Sequence, residues 1–364
     1  MRILIDATVC TNTFQLGIQR CVTELVKNLS VDYAFMHHSV AGLRMDADLQ
    51  SHVLPGYESR LPQRNFLRRT WLAWQRQRAL HAKTFSVYHT PYLGMCPIAG
   101  LPSVMVVNDM VCEMFPEQFH GDAKLESERK KQAIDKATLL LAISQATADD
   151  LARIHPSTCD RIRVVHPGRG HIQAYQASAQ KPEGADFDFP YVLFVGDRKG
   201  YKNFHLLLEA MTLATWPDGL ELVVVGPAPS EAELADCAQR NLVAKTHFTG
   251  RVDDATLAAL YHGAACFVFP SRHEGYGFPL IEAQSQATPV VASDIPVFQE
   301  IGGEAFEKFS PGDAGDLARA VASATAPARR VELLELGTRN AARFSWQATA
   351  AKTLAVWQEA AQMK

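Results

Sequence analysis

Several signatures of familiar protein classes are missing from this sequence. Its seven cysteines are scattered without a C-x-x-C pair, which argues against a disulfide framework or a zinc ribbon and favours a reducing cytosol. No stretch approaches the roughly 20 apolar residues of a membrane span, and the start, MRILIDATVC, is typical of a first strand rather than a signal peptide. The net charge of −3 excludes a general polyanion binder, so no nucleic-acid partner is expected.

Two common nucleotide-binding motifs are also missing. A dinucleotide oxidoreductase would carry G-x-G-x-x-G directly after its first strand, but the segment TVCTNTFQLGIQR contains the single glycine Gly17. In VGDRKGYKN, Gly196 and Gly200 stand four residues apart, and no G-x-x-x-x-G-K-[ST] P-loop occurs anywhere in the chain. Nicotinamide chemistry and P-loop chemistry are therefore disfavoured.

One long segment lacks acidic residues altogether. No aspartate or glutamate occurs between Glu58 and Asp109, whereas residues 60–83 include seven arginines and lysines. Within it, NFLRRTWLAWQRQRAL mixes apolar and basic residues in the manner of a basic amphipathic helix with two tryptophans. Two interpretations stay open. The helix packs its tryptophans on the core, or it makes a peripheral contact with an anionic membrane face, to which each basic residue contributes about 1 kcal/mol.

Strand-like and helical patterns alternate along the chain. Short apolar runs such as RILIDA, TLLLAIS, YVLFVGD and CFVFPS are separated by helical patterns such as GIQRCVTELVKNLS and DDATLAALYHGA. The alternation is broken by a polar linker at 173–189. It predicts two doubly wound α/β domains with parallel sheets, at 1–172 and 190–344, followed by a helix at 345–364. Such sheets bind ligands beyond the carboxyl ends of their strands, so we expect the site in a cleft between two facing domains.

The segment VGDRKGYKNF carries cations at a predicted strand end. The strand ends near Val195, Gly196 turns the backbone, and Arg198 and Lys202 follow. Asn203 is placed to cap the next helix. Cations beside a helix N-terminus suit a diphosphate, although a solvated basic loop is the alternative.

The segment RHEGYGFPLIE carries two carboxylates around a turn that follows the buried strand CFVFPS. Glycines let the backbone approach a ligand closely, and Pro279 is placed at the start of a helix whose N-terminus favours anions. Glu282 is expected in the first turn of that helix, where it would at least interact favourably with the helix dipole. Two interpretations of Glu274 stay open: it only helps to form the turn, or it accepts hydrogen bonds from sugar or ribose hydroxyls while N–H groups and cations hold phosphates.

At this point the chain resembles a known family. PSRHEGYGFPLIEAQSQATPVVASDIP resembles the E-x7-E region of the retaining glycosyltransferases of family 4, which have the GT-B fold. Other segments resemble the family in the right order, among them LGIQRCVTEL, VYHTP, VNDMVCEMFPEQF, VGDRKGYKNF and HFTGRVDDATLAALYHGAACFVFPS. The resemblance covers most of the chain and is weakest over residues 31–85 and the linker.

The resemblance implies roles position by position. Arg198 and Lys202 would bind the nucleotide diphosphate, Glu274 would contact hydroxyls of the donor sugar, and Glu282 would bind the ribose. The other donor-binding positions, most of them acting through the backbone, are Gly17, Gly196, Asn203, Arg251, Val252, Gly275, Tyr276, Gly277 and Phe278.

Two positions depart from the family pattern. Asn108 precedes Asp109 where the family commonly has His-Asp, and the histidine usually faces the donor sugar. Both residues are counted with the catalytic group, but Asn108 keeps only a hydrogen bond and offers no titratable proton.

His89, in VYHTP, is another candidate for the cleft or the acceptor. The alternative is a histidine at a strand end whose hydrogen bonds are satisfied within the fold. Ala287 replaces the usual glycine before TPVV, which we expect the backbone to tolerate.

The implied activity is transfer of a hexose from a GDP- or UDP-linked donor to an acceptor hydroxyl, with retained configuration. No D-x-D stands near the motifs, so no metal is expected. The GYKN loop favours mannose. The segment 60–83 favours a lipid-linked glycan acceptor at the cytoplasmic face of the membrane, as in bacterial O-antigen or capsule synthesis. The alternatives are a nucleotide-sugar isomerase or epimerase of the same fold, and a non-catalytic subunit that binds sugar nucleotides.

Overall fold

A computed structural model describes residues 1–11, 16–36, 47–52, 54, 85–118, 123–170, 172 and 187–363. The predicted amphipathic segment 60–83 and most of the predicted linker 173–189 lie outside the described residues. The chain divides into two compact units. The first comprises Met1–Glu113, Phe119–Pro167 and Trp346–Lys364, and the second comprises Met114–Gln118 and Gly168–Ser345.

The first unit is built on a parallel sheet with the strand order β2-β1-β3-β4-β5-β6. The strands are β1 (Arg2–Asp6), β2 (Asp32–Met36), β3 (Val87–Thr90), β4 (Ser103–Val107), β5 (Leu139–Ala142) and β6 (Ile162–Val164). Its helices are α1 (Leu16–Lys27), α2 (Ala47–Gln50), α3 (Val111–Met114), α4 (Ala123–Lys136) and α5 (Gln145–Ile154). The apolar side chains of β1, β3 and β5 are fully or almost fully buried, as expected of a parallel sheet with covered faces. Ser144 caps α5, because its hydroxyl accepts the backbone N–H of Thr147.

The second unit repeats the design with the strand order β12-β11-β10-β7-β8-β9, and its pairs are again parallel. The strands are β7 (Tyr191–Val195), β8 (Glu221–Val225), β9 (Thr246–Gly250), β10 (Cys266–Phe269), β11 (Val290–Ser293) and β12 (Glu307–Phe309). The helices are α6 (Phe204–Ala210), α7 (Glu231–Gln239), α8 (Asp254–Gly263), α9 (Phe278–Ser285), α10 (Pro296–Gly302), α11 (Ala314–Thr325) and α12 (Pro327–Ala341). Two doubly wound parallel α/β units are therefore present, as the sequence predicts.

The last helix, α13 (Trp346–Gln362), belongs to the first unit although it follows the second unit in sequence. Trp357 is completely buried in the core of that unit, and its indole Nε1–H donates to Nδ1 of His89 at 3.3 Å. Glu359 pairs with Arg163 on β6, and Thr349 donates to the carbonyl of His166 at 2.9 Å. The predicted helix at 345–364 thus completes the first core.

The unit boundary differs from the predicted one. The prediction ends the first domain at residue 172, whereas the second unit already begins at Gly168. Gln286 donates through Nε2 to the carbonyl of Ile172 at 2.9 Å, which ties this stretch to the second unit. The elements α10, α12 and β12 are not predicted from the sequence pattern, because they are short or carry weak periodicity. No described helix is both long and apolar enough to cross a membrane.

Candidate functional site

The order of strands in the second unit places two loops side by side. The chain runs from β7 outward to β8 and β9, and then returns to form β10 on the other side of β7. In a doubly wound sheet, ligands bind where the strand order reverses in this way, beyond the carboxyl ends of the strands. The loops after β7 and β10 therefore flank the expected site, and they are the two segments singled out from the sequence.

Lys202 and Glu274 meet at this position. Lys202 ends a short 3-10 turn, Gly200–Lys202, and its Nζ lies 2.6 Å from Oε1 of Glu274. The buried hydroxyl of Ser271 donates to the same carboxylate oxygen at 2.7 Å. Both side chains are mostly buried, at 19% and 13% exposure. Within the described part of the chain, no recorded hydrogen bond reaches Oε2 of Glu274, so this oxygen is available as an acceptor.

The Lys202 ammonium is held in its charged form. Burial on its own would lower the pKa of Lys202, but the carboxylate of Glu274 and the neighbouring Tyr201 outweigh it, and the net pKa is raised. The ammonium also lies 5.1 Å from the ring centroid of Tyr201 and 5.8 Å from that of Phe269. The site thus presents a permanent cation beside a carboxylate.

The loop after β10 leads directly into α9. Gly277 caps this helix with φ of 102°, a left-handed conformation that favours glycine, and an added Cβ would lie 3.0 Å from the ring of Phe298. Tyr276 is buried and packs edge-on against Phe278 and Phe344, at centroid distances of 4.9 Å and 6.1 Å. The cap residue of α9, Gly277, has no side chain to make a capping bond, and the positive end of the helix dipole lies at the end of this loop.

Glu282 is not where the sequence prediction put it. Because α9 begins at Phe278, with Pro279 second, Glu282 falls in the second turn rather than the first. Its side chain is buried, and an added Cβ on Gly170 would meet its carboxylate at 2.4 Å. Burial and the adjacent Glu282 charge raise the pKa of Tyr261 well above its usual value. Glu282 therefore packs against Gly170, and the predicted place in the first turn is wrong.

Arg198 is engaged inside the second unit. Its guanidinium pairs with Glu233 at 2.6 Å and donates through Nη2 to the carbonyls of Pro227 and Ala228. Its side chain is only 4% exposed. Burial would raise the pKa of Glu233, but hydrogen bonds from Arg198 and Ser230 outweigh it and the net pKa is lowered. Arg198 thus joins the loops after β7 and β8, and both predicted cations of this loop are ion-paired, Arg198 with Glu233 and Lys202 with Glu274.

Asn203 does not cap α6 through its side chain. The residue occupies the cap position, but its backbone is left-handed, with φ of 59° and ψ of 31°, and its amide makes no capping hydrogen bond. A side chain caps a helix from extended backbone, so the left-handed conformation explains why the predicted cap fails. Gly196 has φ of 133° and donates its N–H to the carbonyl of Val225, which fits the predicted turn after β7.

The remaining donor-binding candidates lie at other strand and helix ends. Arg251 and Val252 follow β9, two strands away from β7, and precede the Asp253 cap of α8; Arg251 is exposed. Gly17 lies exposed in the first turn of α1 in the first unit. Within the second unit, the structure brings Lys202 together with Glu274, which leads into residues 275–278, whereas Arg251 and Val252 follow a strand two places away from β7.

In the first unit, Asn108 and Asp109 lie at the carboxyl end of β4. Asn108 donates through Nδ2 to the carbonyl of Pro91 at 3.1 Å. Asp109 accepts the N–H of Val111 at 3.1 Å, and Lys130 donates to its carbonyl at 2.6 Å. Both residues are partly exposed. Asn108 thus holds the loop after β3 through a hydrogen bond that its side-chain amide donates.

His89 lies inside the first core. It is 1% exposed, its ring packs edge-on against Trp357 with centroids 5.2 Å apart, and its Nδ1 accepts the indole N–H. Burial lowers the pKa of His89 to about 3, so the ring is neutral at physiological pH. This arrangement matches the alternative of a satisfied histidine at a strand end and does not match an open acceptor-facing side chain.

Three contributors to the site were not predicted. Ser271 holds Glu274, and Phe115 and Gln118 contact the turn that carries Lys202. Ser271 directly follows a buried strand and stands three residues before Glu274, which could have suggested it. Nothing in the sequence connects Phe115 and Gln118 with a turn more than 80 residues away. Ala287, which replaces a glycine, adopts a left-handed backbone with φ of 54°, so the tolerated change carries local strain.

Residues 176–332 match the family described as glycosyl transferases group 1. A D-inositol 3-phosphate glycosyltransferase 2 from Catenulispora acidiphila is 32% identical over 243 residues, which are 62% of this chain and 57% of that protein. O-antigen chain mannosyltransferase B from Escherichia coli is 26% identical over 317 residues, 79% of this chain and 81% of that protein. The chain spans only 34–35% of three further relatives from Escherichia coli, so it covers less than two thirds of the first relatives it matches.

Among solved structures, HepE from Anabaena, in complex with UDP and glucose, superposes with a TM-score of 0.73 at 16% identity. The match covers 99% of this chain and the whole of that one. At this identity the likeness establishes the fold. The predicted fold class, GT-B with two doubly wound units, is confirmed.

Proposed function

We propose that the protein belongs to the glycosyl transferases group 1 family, which residues 176–332 match, and that it transfers a hexose from a nucleotide-sugar donor to a glycan acceptor. The observation that carries the proposal is the Lys202–Glu274 pair at the reversal of strand order in the second unit. It combines a cation for a diphosphate with a carboxylate for sugar hydroxyls, at the position where this fold binds ligands.

Charge development explains how the site would accelerate transfer. When the bond between the sugar and the diphosphate breaks, negative charge grows on the leaving diphosphate. Groups that are already oriented towards that charge lower the barrier, because they need no reorganisation during the reaction. Lys202 supplies a full positive charge, and the N-terminus of α9 supplies a partial one. We assign Arg198 a supporting role, since its guanidinium is already paired with Glu233.

Glu274 is the residue we place against the sugar. Its Oε1 accepts hydrogen bonds from Lys202 and Ser271, and none of the described residues donates a hydrogen bond to Oε2. A sugar hydroxyl donating to Oε2 would orient the donor without displacing either partner. We propose retention of configuration by attack on the same face as the leaving diphosphate, so no protein nucleophile is assigned. The diphosphate charge is balanced by protein groups, which makes a metal unnecessary in this proposal.

The identity of the sugar and the acceptor follows from weaker support. The name of the O-antigen chain mannosyltransferase and the GYKN loop both favour mannose. The UDP bound in the HepE complex favours the alternative of a UDP-linked donor. We propose a lipid-linked glycan of a bacterial surface polysaccharide as the acceptor, reached at the cytoplasmic face of the membrane through the basic segment 60–83. Asn108 and Asp109 of the first unit are proposed to act with the catalytic group, at the position where the family commonly has a histidine that faces the donor sugar.

Incubation with labelled nucleotide sugars and a membrane extract tests the proposal. Label that enters a lipid-extractable glycan supports transfer. Label released as an altered free sugar without an acceptor would instead support an isomerase or epimerase, and tight binding without any turnover would support a non-catalytic subunit. A thermal-shift screen of UDP, GDP, ADP and dTDP identifies the base, because a ligand at about 100 times its Kd stabilises the folded protein by about 2.7 kcal/mol.

A further inference from the structure

The segment Met114–Gln118 is separated from its sequence neighbours, because it belongs to the second unit while the residues on both sides belong to the first. Pro116–Gln118 forms a short 3-10 turn, which is closed by the N–H of Gln118 donating to the carbonyl of Phe115 at 3.0 Å. Its place in the second unit raises the question of what it contacts there.

Gln118 binds the turn that carries Lys202. Its side-chain Oε1 accepts the backbone N–H of Tyr201 at 2.7 Å. The packing beside this bond is close, since a Cβ added to Gly200 would lie 3.1 Å from the same oxygen. A glycine at position 200 therefore leaves room for the Gln118 amide to reach the backbone.

Phe115 connects this turn with the loop that carries Glu274. Its ring stacks on Tyr201 at a centroid distance of 5.9 Å and an interplanar angle of 24°, and it packs against His273 at 6.0 Å. The two loops are also joined directly, because the N–H of Arg272 donates to the carbonyl of Tyr201 at 2.8 Å. Tyr201 is thus held through its N–H, its carbonyl and its ring.

The turn Gly200–Lys202 needs such external support. It contains only three residues, and its own backbone bonds are Lys202 N–H to Lys199 O and Asn203 N–H to Gly200 O. A structure this short has little stability of its own and takes its conformation from its contacts. The position of the Lys202 ammonium, which must reach Glu274 at 2.6 Å, follows from the backbone of this turn.

We propose that Gln118 is a positioning residue for the donor site, acting through the backbone of Tyr201 to hold Lys202 against Glu274. The effect on turnover rests on the proposed glycosyltransferase function, whereas the placement of Lys202 does not. Gln118 itself contacts neither the sugar nor the diphosphate in this proposal.

The test compares two substitutions of similar size. Gln118→Met removes the acceptor, and Gln118→Glu keeps an oxygen that can accept from Tyr201. Pulsed acetylation of amines, read by mass spectrometry, reports how accessible Lys202 is relative to Lys245, an exposed lysine elsewhere in the second unit. We expect Gln118→Met to label Lys202 several-fold faster than wild type, and Gln118→Glu to label it no faster. Gln299→Met, which removes an exposed amide bonded to Asp294, should leave the rate unchanged.

Steady-state kinetics then connect position with function. In Gln118→Met, kcat/KM for the donor should fall about ten-fold, because a displaced charge stabilises the leaving group less well. In a Lys202→Ala background the same substitution should have no further effect, since the residue through which it acts is gone.

If Lys202 is acetylated at the same rate in Gln118→Met as in wild type, the proposal is overturned, whether or not the protein turns over a nucleotide sugar. An equal kinetic loss with and without Lys202 would also overturn it. Faster labelling in a protein that transfers no sugar would contradict the proposed function and leave the positioning role supported.

Discussion

Lys202 and Glu274 form a 2.6 Å ion pair between two loops that emerge from adjacent parallel strands. They are 72 positions apart in the sequence, and the stretch between them contains the strands β8, β9 and β10. Their meeting results from the reversal of strand order at β7 and β10, and the pair is the centre of the proposed site.

The carboxylate of Glu274 should be required for transfer. We expect Glu274→Ala to lower the initial rate of transfer about 100-fold or more, since it removes a charge-assisted contact to the sugar and leaves Lys202 without its partner. Glu304→Ala, at an exposed carboxylate of the same unit, serves as the matched control and should retain wild-type rate. A wild-type rate for Glu274→Ala would show that the site is assigned wrongly.

The two members of the pair should affect nucleotide binding in opposite directions. Lys202→Met removes the cation, so we expect the Kd of a nucleoside diphosphate to rise about ten-fold, equivalent to about 1.4 kcal/mol. Glu274→Gln removes a negative charge next to the anion site, so the Kd should stay equal or fall. Isothermal titration calorimetry with the diphosphate selected by thermal shift measures both. Weaker binding in Glu274→Gln would mean that the carboxylate does not oppose the diphosphate.

Ala287 offers a test of backbone strain. The left-handed backbone of a non-glycine residue such as Ala287 lowers the free energy of unfolding by roughly 1–2 kcal/mol. Glycine removes this strain, but it also makes the unfolded chain more flexible, which offsets part of the gain. We expect Ala287→Gly to raise the free energy of unfolding by about 1 kcal/mol in urea titrations. Ala342→Gly is the matched control, because Ala342 is also exposed at a helix end but has φ of −65°, and it should be destabilising by about 0.5–1 kcal/mol. Destabilisation in both variants would contradict the strain at Ala287.

Buried His89 should make the protein sensitive to acid. The unfolded chain protonates this ring near pH 6.5, whereas the folded protein holds its pKa at about 3 because the ring is buried. The unfolded state therefore binds the extra proton first, so this contribution to stability is complete above pH 6.5 and is lost as the pH falls towards 3.

His89→Asn isolates that effect, because Asn cannot titrate but can still accept from Trp357 through its side-chain oxygen. Between pH 7 and 4.5, wild type should lose about 2–3 kcal/mol more unfolding free energy than His89→Asn. Urea titrations at several pH values provide the comparison. Parallel stability curves for the two proteins would contradict a buried, neutral histidine.

The basic segment 60–83 predicts binding to anionic vesicles. Because each basic residue near such a surface contributes about 1 kcal/mol, the triple change Arg64/Arg68/Arg69→Glu should abolish cosedimentation with phosphatidylglycerol vesicles. A triple change with the same alteration of charge at exposed positions elsewhere, Lys245/Arg339/Lys352→Glu, should retain binding. Unchanged binding of the first variant would exclude this segment as the membrane contact.

The sequence was informative wherever a local pattern determines the outcome. Buried strands and helical periodicity locate the loops after β7 and β10, and they place Lys202 and Glu274 at strand ends. It was not informative about pairing across the fold. The partner of Arg198 is Glu233, a residue of α7, and no periodicity distinguishes an arginine that pairs with it from one that faces a ligand.

Backbone handedness and segment membership were equally hidden. Asn203 satisfies the residue preference of a helix cap, yet its left-handed conformation is set by the turn before it. Glu282 falls in the second turn because a one-residue difference in the helix start, Phe278 instead of Pro279, changes which turn a residue occupies. The transfer of Met114–Gln118 to the second unit depends on contacts with Tyr201 and His273, which lie more than 80 residues away.

The return of α13 to the first unit sets an order of events during synthesis on the ribosome. All of the second unit, Met114–Gln118 and Gly168–Ser345, is made before Trp346–Lys364 emerges. Trp357 is wholly buried beside His89, so until it arrives the nascent first unit lacks a large part of its core. All strands of the second unit have been synthesised by then, so this unit can fold before the first unit receives its last helix. Those roughly 180 residues are translated at about 5–20 residues per second. During that interval we expect the apolar surface that α13 later covers to be exposed in the first unit and to be a binding surface for chaperones.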